Sequence, residues 1–199
     1  MRLRDDLTVI AEWVPNKSKI LDLGCGDGML LQWLREEKNC RGYGVEISSE
    51  KFNQCVEKSL NVIQADIESG LSIFDKNKFD FVFLSKVLKA TLKTEMVLKR
   101  ISDLGKIVIV SIPNFGHWST IISLFRGYMP VNERLPFQWF DTPNLHFATV
   151  KDFENLLENL GFKIVEAAYL NEGQQTKSKK VKFFVSLRCT TAIYKFGVD

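Results

Sequence analysis

The sequence predicts an α/β protein: a doubly wound, mostly parallel sheet with helices on both faces. Three observations carry this. Short apolar runs alternate with stretches of helical period through the first 113 residues, the pattern of parallel strands joined by right-handed crossover helices. A glycine turn, Gly24-Cys25-Gly26-Asp27-Gly28, stands directly between the first apolar run and the helix after it. Polar side chains, Glu46, Asp66 and Ser85, stand at the ends of the next three runs. Open α/β sheets bind ligands outside the carboxyl ends of their strands, so these residues and Gly24 share one rim.

Each element has its own signal. Leu3, Leu7, Ile10, Ala11 and Val14 fall on one helical face, and Pro15-Asn16 ends that helix. Residues 19–23 form the first strand, an apolar run of the kind buried on both faces. Leu30, Leu31 and Leu34 begin the stripe of a helix reaching about Glu37, with Asn39 as its stop. A second strand spans 41–47, and a helix over 49–59 turns Phe52, Cys55 and Val56 inward. The third strand is 61–67, the fourth 79–85, and the fifth 106–112, closed by Pro113; a helix over 94–102 lies between the last two. Thr149 and Asp152 read as a capping box for a helix that ends at Gly161. Two strands, 162–170 and 181–194, finish the chain, with a polar, basic hairpin tip at 171–180 carrying Lys177, Lys179 and Lys180.

The glycine spacing narrows the ligand. The dinucleotide fingerprint G-x-G-x-x-G would need glycine where Met29 stands. The spacing here is G-x-G-x-G, with Asp22 two residues ahead of it. That resembles motif I of class I S-adenosylmethionine-dependent methyltransferases, whose sulfonium cofactor has no pyrophosphate to cradle. Its zwitterionic methionine end is met by backbone groups and a nearby carboxylate, for which Asp22 is the candidate. Glu46, twenty residues beyond Gly26, stands where an acid accepts from both ribose hydroxyls. Asp66 can accept from the adenine amine while Ile67 covers the ring, or it can simply cap a turn. The expected cofactor-binding set is Asp22, Gly24, Cys25, Gly26, Gly28, Glu46, Ile47, Asp66, Ile67 and Ser85, with no catalytic residue and no metal ligand assigned. Cys25 lies near a helix start, where a thiolate is favoured, yet reads as a small packing residue.

Composition excludes several classes. A net charge of +3 and no long basic stripe give no ground for a nucleic-acid partner. No apolar run approaches a membrane span, and the charged start, Met1-Arg2-Leu3-Arg4-Asp5-Asp6, is unlike a signal peptide. Cys25, Cys40, Cys55 and Cys189 form no C-x-x-C pair, and His117 and His146 lie far apart, which argues against zinc. Free thiols fit a reducing cytoplasm. The segment 114–147 is too long for a simple βα loop and holds eight phenylalanine, tryptophan and tyrosine residues. It reads as a small subdomain burying its own aromatics, a lid over the rim, or a docking face. His117 and His146 fall within it, and each reads as a hydrogen-bonded structural histidine before a catalytic base.

Larger stretches carry a family likeness. Leu21-Asp22-Leu23-Gly24-Cys25-Gly26-Asp27-Gly28, Gly42-Tyr43-Gly44-Val45-Glu46-Ile47 and Asn61-Val62-Ile63-Gln64 resemble the methionine biosynthesis protein MetW family. So do Pro113-Asn114-Phe115-Gly116-His117-Trp118 and the run from Leu135 through Pro136-Phe137-Gln138-Trp139-Phe140-Asp141-Thr142-Pro143-Asn144-Leu145 to His146. These last two are not general methyltransferase motifs. The likeness covers nearly the whole chain to about Leu170. It implies a Rossmann-like, class I methyltransferase-like fold of seven strands with an antiparallel final strand. The expected organisation is one domain over 1–199 with an aromatic-rich cap inserted at about 114–147. The likeness also implies binding of S-adenosylmethionine or S-adenosylhomocysteine, and a role in methionine synthesis as partner and activator of homoserine O-acyltransferase. Acyl transfer needs an activated nucleophile and an oxyanion hole. The sequence has no G-x-S-x-G elbow, so that chemistry would fall to the partner. The alternative is a methyltransferase acting on a small molecule, since methyl transfer from a sulfonium needs mainly alignment. Ser85-Lys86-Val87-Leu88 lacks the Asn-Pro-Pro-Tyr motif of amino-group nucleic-acid methylases.

Overall fold

The computed structural model describes residues 2–132, 135–171, 179–180 and 182–197, with backbone only for 179–180. Its centre is one sheet in the order β3-β2-β1-β4-β5-β8-β6-β7. The strands are β1 (Lys19–Leu23), β2 (Arg41–Glu46), β3 (Val62–Gln64), β4 (Phe79–Ser85), β5 (Gly105–Pro113), β6 (Lys163–Asn171), β7 (Lys179–Lys180) and β8 (Thr191–Gly197). The first five pair in parallel; β8 runs antiparallel between β5 and β6. Seven strands thus make the expected mostly parallel sheet with an antiparallel last strand, and the two-residue β7 extends its edge.

Burial alternates along the strands. Leu21, Leu23, Val82, Leu84, Val108, Val110, Tyr194 and Phe196 pack on one face of the sheet. Ile20, Phe81, Phe83, Ile109 and Ile193 pack on the other. Period-2 alternation with apolar residues on both sides means that each face is covered. Helices α1 (Asp5–Trp13) and α2 (Met29–Lys38) cover the second face through Leu7, Ile10, Leu30, Leu31 and Leu34, and α3 (Ser49–Glu57) adds Cys55. Helices α5 (Thr94–Leu104) and α7 (Val150–Asn159) cover the first through Leu98, Ile101, Phe153 and Leu157. The remaining helices are short: α4 (Ile67–Gly70), α6 (Trp118–Phe125) and α8 (Val185–Arg188).

Local chemistry sets the ends. Asn39 closes α2 in the left-handed region at φ 52°, and Thr149 and Asp152 form the capping box of α7. The third strand is shorter than the 61–67 expected, because the Asp66 side chain caps α4 and turns the chain away. The expected strand at 181–194 is corrected. Val185–Arg188 is a helical turn and the strand begins only at Thr191. The Asn114 side-chain amide donates to the carbonyls of Ser186 and Cys189, both at 2.8 Å. Those bonds tie the turn to the end of β5, a tertiary contact that the apolar run could not announce. The basic tip lies outside the described residues at 172–178, including Lys177, as does Val181.

Candidate functional site: the cleft at the β1–β4 switch point

Strand order reverses between β1 and β4, and there a cleft of about 430 Å³ opens at the strands' carboxyl ends. Its floor is the turn after β1. Gly24 and Cys25 donate their N–H groups to the Val45 carbonyl at 2.7 and 3.1 Å, which folds the turn over β2. Gly26 lines the cleft at φ +60°, and a Cβ there would meet nothing within 4 Å. Gly28 has a different task. Its Cβ would stand 2.3 Å from Leu60 Cδ1 and 2.9 Å from Cys55 Sγ, so it packs the start of α2 against α3 and stays outside the cleft wall.

Five acids stand in the remaining wall: Asp22, Asp27, Glu46, Asp66 and Glu68. Glu46 is buried, and its two oxygens accept the N–H groups of Gly26 at 2.8 Å and Ser48 at 2.9 Å. An ionised carboxylate offers about four acceptor positions, so Glu46 can hold the glycine turn and still accept from a ligand. Asp22 is also buried against the cleft. Burial pushes its pKa up to about 7; Arg4 opposes the rise and Glu46 adds to it. Asp66 accepts the Glu68 N–H at 2.7 Å as the cap of α4, the second of its two expected roles, while also lining the cleft with Ile67 and the exposed Ile47. The Cys25 thiol is buried 3.9 Å from the Cys55 sulfur. Burial raises its pKa, with Asp22 and Cys55 adding to the effect, so this side chain packs as a neutral thiol.

Ser85 belongs to a network absent from the sequence reading. Its hydroxyl donates to Asp6 Oδ2 at 3.1 Å and accepts from Arg4 Nη2 at 3.2 Å and from the Ser111 hydroxyl at 3.2 Å. Asp6 is fully buried and also pairs with Arg4 at 3.2 Å and Lys86 at 3.7 Å. Through this network the start of α1 closes the rim, and Arg4 and Leu7 line the cleft. Nothing in the spacing of residues 4–7 points to it; a buried acid between two cations shows only in three dimensions. Asp27, Lys51, Glu68 and Lys86 also line the cleft. Asp27 was within reach of the sequence, being part of the glycine turn; its carboxylate pairs with Lys58 at 3.0 Å.

The connection from β5 to α7 presents most of its aromatics to solvent. Along α6 only Thr120 is buried, while Trp118, Ile121, Ile122, Leu124 and Phe125 are exposed. His117 is buried and its Nδ1 accepts the Ser119 N–H at 3.3 Å as the cap of α6. The exposed His146 donates its backbone N–H to the Lys89 carbonyl at 3.1 Å. Beyond the Ser85–Ser111 hydrogen bond lies a second cavity of about 780 Å³, lined by Ser111 and His146 among others. Among the described residues no cluster of His, Cys, Asp or Glu could hold a metal, and no helix is long and apolar enough to cross a membrane.

Comparison with known proteins places this architecture. The Archaeoglobus fulgidus SAM-dependent methyltransferase superposes with a TM-score of 0.71 at 17% identity, over 96% of this chain and 90% of that one. An S-adenosylmethionine-dependent methyltransferase from Mesorhizobium loti gives 0.71 at 15% identity, over 97% of each. These likenesses show the class I methyltransferase fold. At the sequence level the chain is 30% identical over 190 residues to the bifunctional methionine biosynthesis protein MetXA/MetW of Rhodopirellula baltica. The match takes in 87% of this chain but only 30% of that relative's length. The methionine biosynthesis protein MetW family matches residues 4–196, and this chain belongs to it.

Proposed function

We propose that the chain binds S-adenosylmethionine or S-adenosylhomocysteine in the β1–β4 cleft and serves methionine biosynthesis as partner and activator of homoserine O-acyltransferase. The observation that carries the cofactor half is the pairing of Gly26 with Glu46. Gly26 leaves open space where a ligand meets the backbone, and the Glu46 carboxylate is fixed beside it with acceptor capacity to spare. In this reading Glu46 takes the ribose hydroxyls, Asp22 faces the amino-acid end, and Asp66 with Ile47 and Ile67 holds the adenine. The bound cofactor would supply an activated methyl group, or in its demethylated form a signal of methionine status. The partner half is supported by the Rhodopirellula relative, in which a MetW part and a MetXA part share one polypeptide. We take the MetXA part as the acyltransferase. The segment 114–147 acts in this reading as a cap that carries the interface.

A small-molecule methyltransferase is the second reading, favoured by the cavity across the Ser85–Ser111 bond from the cleft. Calorimetry tests the cofactor half common to both. S-adenosylhomocysteine should bind and NADH should give no heat. Glu46→Ala should weaken S-adenosylhomocysteine by about 3–6 kcal/mol, the worth of two charge-assisted hydrogen bonds. Unchanged affinity in that variant would take Glu46 out of the site. Adding the acyltransferase, with and without the nucleoside, separates the readings. An activator raises acyl transfer on mixing, whereas a pure methyltransferase leaves it unchanged.

A further inference from the structure

The cavity of about 780 Å³ lies between α5, α7 and the β5–α7 connection, with its own walls and its own polar groups. Leu88, Ile112, Phe115, Phe147, Phe153 and Leu156 give it an apolar lining. Phe115 and Phe147 pack against each other in its wall as a tilted pair with ring centroids 4.8 Å apart. Of the polar residues in the same wall, Asn144 and Lys89 bear on a ligand. Asn144 is only 6% exposed, and among the described residues its side-chain carbonyl has no hydrogen-bond partner. A buried amide oxygen without a donor costs free energy that a ligand N–H or O–H would recover. Lys89 is half-buried, and desolvation lowers its pKa, with Lys86 adding to the effect. Its backbone carbonyl accepts the N–H groups of Leu145 and His146 at 2.7 and 3.1 Å, which holds the chain just after Asn144 against Lys89, and both residues line the cavity. The acids on this wall answer neither need. Asp152 is committed to Thr149 through the capping box, and Glu95 is exposed. Lys93 and Lys99 add positive charge at the rim.

We propose that this cavity is a binding site for a small amphipathic carboxylate: an apolar chain against the aromatic wall, a carboxylate on Lys89, and an adjacent N–H or O–H donor on Asn144. A partly desolvated ammonium prefers a ligand anion to an empty apolar surface, and an orphaned acceptor beside it selects a donor close to that anion. The site does not depend on occupation of the β1–β4 cleft. Its failure would therefore leave the cofactor reading intact, and the reverse.

N-octanoylglycine carries all three features and serves as the probe, titrated calorimetrically into the whole chain with no nucleoside present. Two relatives isolate the contacts. N-octanoylglycinamide lacks the charge, and N-methyl-N-octanoylglycine lacks the N–H donor. We expect saturable one-to-one binding of N-octanoylglycine, with each relative about tenfold weaker. Lys89→Met should erase the preference for the acid over the amide and leave the amide's own affinity unchanged. Lys89 is only half-buried, so this variant keeps the core intact; Leu156→Trp, which would fill the cavity, should abolish binding of all three. Absence of binding, equal affinity for acid and amide, or a preference that survives Lys89→Met would overturn the assignment.

Discussion

Among the residues of the cleft, Asp22 gives the sharpest pH signature. The unfolded chain releases this proton near pH 4, whereas the folded chain holds it until about pH 7. A raised acid pKa therefore works against the fold. Its cost is absent below about pH 4, grows as pH rises, and is complete above pH 7 at about 4 kcal/mol. A ligand ammonium facing Asp22 reverses the preference, because it favours the ionised carboxylate. S-adenosylhomocysteine should accordingly bind about tenfold more tightly at pH 8 than at pH 6. Asp22→Asn should flatten that profile and make the ligand-free protein more stable at pH 8. Calorimetry at the two pH values, with thermal melts of both proteins, checks the two halves; a wild-type affinity indifferent to pH would remove the ammonium from Asp22. The presence of an acid at position 22 was legible in the sequence from its place before the glycines. Its protonation was not, because burial and Arg4 set it together, and Arg4 arrives from α1 only when the chain folds.

At the scale of the element, the β1–α2 junction sets an open position, Gly26, beside a packed one, Gly28, within five residues. Gly26 and Gly28 both have positive φ, so alanine at either bears the left-handed penalty of roughly 1–2 kcal/mol. Only at Gly28 does the new methyl also collide, with Leu60 and Cys55, which adds about 1–3 kcal/mol of overpacking. Gly28→Ala should thus lower the melting temperature clearly more than Gly26→Ala. Gly26→Ala should keep its fold by circular dichroism yet lose S-adenosylhomocysteine affinity, since its methyl points into the cleft. A folded Gly26→Ala protein that binds normally would move the ligand away from this turn. The G-x-G-x-G spacing announced the turn without dividing its labour, because the neighbours that Gly28 must admit, Cys55 and Leu60, lie on α3 and just beyond it. Elements with strong local grammar were read closely, such as β4 from its apolar run and α7 from Thr149 and Asp152. The turn at Val185–Arg188 was misread because its cause is the Asn114 side chain just past β5, more than seventy residues earlier in the chain.

At the scale of the whole molecule, the connection from β5 to α7 carries a large share of the exposed aromatic side chains among the described residues. The helices on the sheet bury most of their apolar stripes against it, whereas α6 exposes Trp118, Ile121, Ile122, Leu124 and Phe125 and buries only Thr120. Phe125 is 93% exposed and Trp139 72%, the latter in an edge-on contact with Phe140 at 5.6 Å. The sequence pointed to this segment through its aromatic density; whether those rings faced inward or outward depended on how much of the segment folds onto the sheet. Exposed aromatic side chains in large patches mark interaction sites, and such anchors commonly dominate interface energetics. In the proposed reading the occupant is the acyltransferase. Phe125→Ser and Trp139→Ser should weaken that complex by at least about tenfold each. Because both rings already meet solvent, melting temperature and S-adenosylhomocysteine affinity should stay at wild-type values. A lid predicts the opposite pattern, with nucleoside affinity falling while the complex holds. Titration of each variant against the acyltransferase by calorimetry, beside a nucleoside titration, distinguishes the two. If both variants bind the acyltransferase as the wild type does, the interface lies on another face of the molecule.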